Sequence, residues 1–243
     1  MTMRLFDTHI HLTDFKDILP KDLMKHLKSA GVEKCVCVTA RQEDWGKAAK
    51  FAHDFPFEVI PCFGLHPWYA HEASKGWEKE LEAYLKEFDE ASIGECGLDK
   101  LKSTDIKKEK EVFEKQIELA FEYNRPLMLH MVKADMWLDK YWGRLPEKSV
   151  FHSFSGSENL LKQIFNFNHY VSVNNKFFNK KDAVNLLKQI PTEKLLAETD
   201  APFQTDVSDL EKVIYQIAEM KNETPQNVAH RVYLNAQEVF EEN

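Results

Sequence analysis

Phe6-Asp7-Thr8-His9-Ile10-His11-Leu12 reads as a β-strand close to the start of the chain. Alternate side chains of a strand share a face, so the spacing puts Asp7, His9 and His11 on one side and Phe6, Ile10 and Leu12 on the other. Two imidazoles two residues apart can grip one metal ion, or each can be satisfied by ordinary hydrogen bonds. What the strand belongs to depends on the segments that follow.

Short apolar runs alternate with longer amphipathic ones along the rest of the chain. The runs predict strands over about Arg4–Ile10, Lys34–Thr39, Phe57–Phe63, Ala91–Glu95, Pro126–His130, Ser149–His152, His169–Val173 and Lys194–Glu198. Helical spacing lies between them, over Lys21–Ala30, Trp45–His53, Glu78–Phe88, Lys107–Tyr123, Asp135–Trp142, Asn159–Phe165 and Asp182–Gln189, with a helical tail from Asp209 to Phe240. Ser103 precedes the helix that begins near Asp105 as a capping signal, and Thr224-Pro225 opens the last helix. Repeated strand–helix alternation predicts an α/β fold, a (β/α)8 TIM-type barrel, with a doubly wound open sheet as the alternative. In a barrel, side chains at the strand C-terminal ends converge on the axis wherever they lie in the sequence.

Those ends carry one kind of chemistry. Strand one ends in His9 and His11, strand four in Glu95, strand five in His130, strand six in His152, and strand eight runs into Asp200. Imidazoles and carboxylates together suit Zn²⁺, Mn²⁺ or a similar ion, and six ligands exceed what one tetrahedral site needs. Two divalent ions (Zn, Mg or Mn) sharing a carboxylate would use them all. His26, His53, His71, His169 and His230 fall in helices, loops or at a strand start and read as surface or packing residues.

Length and composition are compatible with a single barrel domain over 1–243: 43% of the 243 residues are hydrophobic, and no linker or repeat divides the chain. No run approaches the ~18 apolar residues of a membrane span, and the start lacks a secretory pattern, so a cytoplasmic protein is expected. Cys35, Cys37, Cys62 and Cys96 have no C-x-x-C spacing and read as reduced, buried hydrophobes. A net charge of −8 argues against coating long nucleic acid through a basic face. It leaves room for a nucleic-acid enzyme whose bound metals make the cleft locally positive.

Six segments in order resemble the signature of the TatD family, metal-dependent hydrolases of the amidohydrolase superfamily often described as deoxyribonucleases. They are Asp7-Thr8-His9-Ile10-His11, Gly64-Leu65-His66-Pro67, Ile93-Gly94-Glu95-Cys96-Gly97-Leu98-Asp99, Leu129-His130, Phe151-His152-Ser153-Phe154-Ser155-Gly156 and Glu198-Thr199-Asp200-Ala201-Pro202. The resemblance implies a metallo-dependent hydrolase barrel with a dinuclear site. His9, His11 and Asp200 would hold one ion, His130 and His152 the other, and Glu95 would bridge them. Asp200 would double as general base for hydrolysis of a phosphodiester, DNA or a short nucleic acid being the expected substrate. The alternative is a non-nucleic-acid ester or amide, or deacylation of aminoacylated RNA, on the same metals. No membrane and no obligate protein partner is expected.

Around the metals, His66, Lys133 and Ser153 are candidate substrate contacts, with Lys176 as a further cation. Asp7 is a candidate acceptor for a ligand imidazole, and Asp99 for anchoring the loop after Glu95. Trp68, Tyr69, Phe154 and Phe203 lie just past strand ends, where a base can stack. Lys100, Lys102, Lys107, Lys108 and Lys110 read as a solvated helix start. Many members of the family carry an arginine where this chain has Val132, and Lys133 one position on cannot copy its bidentate grip.

Overall fold

The computed structural model describes residues 3–241; the outermost two residues at each end of the expected 1–243 domain lie outside them. Eight strands run in the order β1 Leu5–Ile10, β2 Val32–Val38, β3 Val59–Phe63, β4 Ser92–Asp99, β5 Leu127–Val132, β6 Val150–Phe151, β7 Tyr170–Val173 and β8 Leu195–Ala197. Each pairs in parallel with the next in one sheet. The β1–β8 seam is stitched just beyond the strands: the Asp200 N–H donates to the His9 carbonyl at 2.9 Å, and the His11 N–H to the Ala201 carbonyl at 2.9 Å. The sheet is thus a nearly closed barrel rather than the open alternative.

The helices between strands are α1 Pro20–Ser29, α2 Trp45–Asp54, α3 Trp77–Glu87, α4 Ile106–Glu122, α5 Asp135–Leu138, α6 Glu158–Asn166 and α7 Ala183–Gln189, followed by α8 Asp209–Lys221 and α9 Pro225–Phe240. Their apolar faces pack on the outside of the barrel in one large buried cluster that includes Leu27, Trp45, Leu81, Phe113, Leu161 and Ile214. None of the described helices is long and apolar enough to cross a membrane. All four cysteines are free and buried.

A second buried cluster takes Phe6, Val36, Ile60, Met128, Val150, Tyr170 and Leu196, a residue from each of seven strands, together with Tyr233, Ala236, Val239 and Phe240 of α9. Only the barrel lumen can bring so many strands to one place. Helix α9 closes the N-terminal mouth. Its contacts are to strand starts: the Arg4 guanidinium lies 4.8 Å from the Tyr233 ring, Lys34 pairs with Glu241, and Lys148 donates to the Glu238 carbonyl at 2.8 Å.

Three local expectations are corrected. The first strand does not keep strict alternation: Phe6 is in the lumen while Leu5 and Ile10 are outside, because the β1–β2 register slips between Asp7 and Ile10. The predicted Asp135–Trp142 helix stops at Leu138, since Trp142 turns in to stack on Phe167 at 5.3 Å and His169 at 6.2 Å. Helix α4 is capped by Asp105, whose carboxylate accepts from the Lys108 N–H at 3.0 Å, not by Ser103. The last helix opens at Thr224-Pro225 as its capping signal indicates: α8 ends where Asn222 adopts a left-handed φ of 57°, and Thr224 caps α9.

Candidate metal centre

All six predicted metal-ligand positions meet at the C-terminal mouth. The register slip in β1 turns His9 and His11 toward each other, with their Nε2 atoms 3.2 Å apart. The seam bonds set Asp200 beside them, its Oδ1 lying 3.4 Å from His11 Nε2 and 3.7 Å from His9 Nε2. Asp200 sits at φ 56°, a left-handed conformation that a non-glycine residue holds only when its surroundings impose it.

Glu95 comes into place through a second irregularity. The β4–β5 register skips it between Gly94 and Cys96, and the strands then approach closely. A Cβ on Gly97, at φ 137°, would lie 2.1 Å from the His130 carbonyl oxygen, so only glycine fits there. The Glu95 carboxylate is thereby shared between two histidine pairs. Its Oε2 lies 3.4 Å from His9 and 3.6 Å from His11; its Oε1 lies 2.6 Å from His130 Nδ1 and 2.8 Å from His152 Nε2.

Behind these groups stands a ring of acceptors. Asp99 Oδ2 lies 3.2 Å from His130 Nε2 and accepts from the Trp68 indole N–H at 2.7 Å, while its Oδ1 takes the backbone N–H groups of Leu101 and Lys102. It therefore orients His130 as well as anchoring the loop. Glu198, wholly buried, lies 3.5 Å from His152 Nδ1 and accepts from the Ser153 N–H, the Asn174 amide and the Ser172 hydroxyl. Sequence reasoning passed over Glu198; its place in Glu198-Thr199-Asp200 just past β8 was the available signal. Asp7 corrects an expectation, because it meets no imidazole. Its carboxylate accepts from the Thr199 hydroxyl at 2.6 Å and the Thr199 N–H at 3.0 Å, holding the turn that presents Asp200.

The electrostatics are those of a cation site. Burial favours neutral carboxyls, yet the histidines around Glu95 and Asp200 outweigh it and hold both below their usual range. Burial likewise opposes charge on His11, His130 and His152, but Glu95, Asp200, Asp99 and Glu198 raise all three. Burial, aided by His152, wins at His9 and lowers it. Charged carboxylates ringed by closely opposed, buried imidazole nitrogens are a donor set that divalent ions complete. Three overlapping triplets are close enough to hold an ion: His9, His11 and Glu95; His66, Glu95 and His130; and His9, His152 and Glu198.

The centre opens into a cleft of about 540 Å³. His66 lines it with Nε2 3.3 Å from Glu95 Oε1, and its Nδ1 accepts the Trp68 N–H at 3.1 Å. Burial lowers its pKa to about 4. Ser153 lines the cleft too, its hydroxyl accepting from Asn174 at 3.0 Å. Lys133 is exposed and outside the lining; the lysines that do line the cleft are Lys102, Lys176 and Lys180. Trp68, Tyr69, Phe154 and Phe203 are all in its walls. Among the remaining histidines, His26, His53 and His71 pair with surface carboxylates, and His169 is buried in the packing.

A family profile described as TatD related DNase matches residues 6–241. An uncharacterized metal-dependent hydrolase of Bacillus subtilis, YabD, is 32% identical over 98% of this chain and 100% of its own length. A relative in Salmonella typhimurium named 3'-5' ssDNA/RNA exonuclease TatD is 26% identical over 98% of this chain and 99% of its own. The solved structure of YJJV, a TatD homologue of Escherichia coli, superposes with a TM-score of 0.88 over 99% of both chains at 23% identity, a likeness of fold.

Proposed function

The chain belongs to the TatD-related DNase family, and from that premise we propose that it is a metal-dependent phosphodiesterase acting on single-stranded DNA or short nucleic acids through two divalent ions. The observation that carries the reading is the division of the Glu95 carboxylate, with one oxygen toward His9 and His11 and the other toward His130 and His152. His9, His11 and Asp200 would hold one ion, His130 and His152 the other, and Glu95 would reach both. Such ions supply Lewis-acid stabilisation of charge on a phosphoryl group and lower the pKa of water.

The chain's own residues do the rest. Asp200 takes the proton of the attacking water on Oδ1, while the Gln204 amide donates to Oδ2 and fixes the carboxylate's orientation. The Trp68 N–H on His66 Nδ1 leaves the proton on Nε2, so His66 is a neutral donor for a phosphate oxygen. Asp99 and Glu198 hold the His130 and His152 rings in place from behind. Ser153 keeps its hydroxyl at the cleft wall, where it can meet a substrate oxygen.

The test is digestion of end-labelled single-stranded DNA by metal-stripped protein resupplied with Mg²⁺, Mn²⁺ or Zn²⁺, beside Asp200→Asn. Metal-dependent cleavage that falls about 10⁴-fold in the variant is expected. Full activity in Asp200→Asn removes the base, and no cleavage with any ion moves the substrate to other esters, amides or aminoacylated RNA. Metal analysis of Glu95→Gln should give fewer than two ions per chain; two retained ions would remove Glu95 from the bridge.

A further inference from the structure

Two lysines in the cleft walls, Lys102 and Lys180, lack a close ion pair among the described residues, although Asp182 is near enough to Lys180 to attract it. On helix surfaces Lys25, Lys50, Lys86, Lys115, Lys162 and Lys212 each pair with a carboxylate one turn away. Among the described residues, Lys102 and Lys180 make no such pair although the chain carries an excess of acidic groups. Instead each is set against an aromatic ring. Lys102 Nζ lies 3.8 Å from the Trp68 ring centroid, and Trp68 is itself pinned by its bond to Asp99. Lys180 Nζ lies 5.6 Å from Phe154 and 5.8 Å from Phe177, and donates one hydrogen bond, to the Gly156 carbonyl at 3.2 Å. An ammonium has three N–H groups, so two remain for a ligand.

The two lysines stand on opposite walls. Trp68 and Lys102 follow β3 and β4, whereas Lys180 follows β7, and β3 and β7 are four strands apart in a ring of eight. The metal-ligand cluster lies between them. Beside the Lys180 wall, past β8, Phe203 is 64% exposed and stands edge-on to His11 with ring centroids 4.9 Å apart. Each wall thus offers one cation and one ring that lines the cleft, half-buried Trp68 on one side and exposed Phe203 on the other, the pair of features that a nucleotide's phosphate and base require.

Resting on the nuclease reading above, we infer that Lys102 with Trp68 and Lys180 with Phe203 are two nucleotide subsites, which draw a single strand across the centre and bind the phosphates on either side of the scissile one. A duplex is rejected because its bases are stacked on one another and cannot reach the rings. Burial lowers the pKa of Lys180, with Asp182 pulling the other way and Lys133 adding a smaller repulsion, and a bound phosphate would relieve that cost.

The experiment compares kcat/KM on a short single-stranded oligonucleotide with that on bis(p-nitrophenyl) phosphate, a diester with no flanking phosphate, in the metal-loaded protein. The ratio of the two constants is independent of the folded fraction, so a partly unfolded variant remains readable. In Lys102→Gln and in Lys180→Gln the ratio should fall about tenfold, through KM rather than kcat. The slope of log kcat/KM against log salt should flatten by about 0.7 per lysine removed. Lys180→Arg, which keeps the charge, should restore most of the ratio. Ratios and salt slopes equal to those of the unmodified protein overturn the subsites while leaving the nuclease reading intact. An unmodified protein that cleaves the small diester and spares the oligonucleotide overturns both.

Discussion

At the N-terminal mouth of the barrel, Phe6 meets Tyr233 at 5.7 Å and Phe240 at 6.2 Å, and α9 seals the lumen with apolar side chains. At the C-terminal mouth, Asp200, Ser153 and Lys133 all sit at positive φ, and buried carboxylates crowd against histidines. One end gains stability from every atom it buries. The other buries carboxylates and imidazoles whose loss of water opposes folding, and which only a rigid frame holds together. Stability and chemistry are therefore separable by position in this barrel, and substitutions at the two ends should fail in different ways.

The largest effect is expected at the end that gathers the carboxylates and histidines. Asp200→Asn should remove about 10⁴-fold of turnover, some 5 kcal/mol of barrier, while its denaturation midpoint stays close to that of the parent. A variant that loses activity only by unfolding would merge the two ends into one. Phe240→Ala is the mirror experiment. Truncating a ring that is 1% exposed in the plug should destabilise the fold by about 3–5 kcal/mol, with kcat per folded molecule unchanged. A fall in kcat at constant folded fraction would mean that the plug reaches the site.

His169 sharpens the comparison through pH. It lies just before β7 with neither ring nitrogen hydrogen-bonded among the described residues, and burial, with Lys194 nearby, lowers its pKa from 6.5 to about 4. Below pH 6.5 the unfolded chain takes a proton that the folded one refuses. Stability from this group is complete above that pH, declines as the pH falls toward 4, and is level below it; the total loss is on the order of 3 kcal/mol. His169→Phe, which suits the stack of Trp142 and Phe167, should flatten that decline in denaturant titrations between pH 7 and 4. An unchanged acid limb would assign it to other groups.

How much of this was legible depended on whether the information was local. The strand–helix alternation and the residue types at strand ends are local, and they led to the barrel and to the cluster His9, His11, Glu95, His130, His152 and Asp200. The slip in β1 is not local: it is fixed by pairing with β2, and so Phe6 and Asp7 were assigned to the wrong surroundings. Glu198 and Asp99 were harder still, because their partners His152 and His130 come from other strands and a lone carboxylate in a strand-end motif does not name its donor. Lys102 read as a solvated helix start because its neighbours are lysines, and only the cleft distinguishes it from them. The helix predicted to Trp142 failed for a related reason, since a tryptophan that suits the helical spacing is turned inward by rings from later in the chain.

The smallest effect concerns the acceptors behind the proposed metal ligands. The His130 Nδ1 that faces Glu95 keeps its lone pair only if the ring's proton sits on Nε2, and Asp99 Oδ2 at 3.2 Å is what holds it there. Asp99→Asn keeps an acceptor for the loop N–H groups of Leu101 and Lys102 but removes the charge that fixes this tautomer. Metal titration of the stripped protein should therefore show one site weakened about 10- to 100-fold and the other unchanged, with activity recovering at high metal concentration. Equal weakening of both sites would mean that the loop, not the ring, is what Asp99 supports, since loss of the loop would loosen Trp68 and the whole cleft wall together.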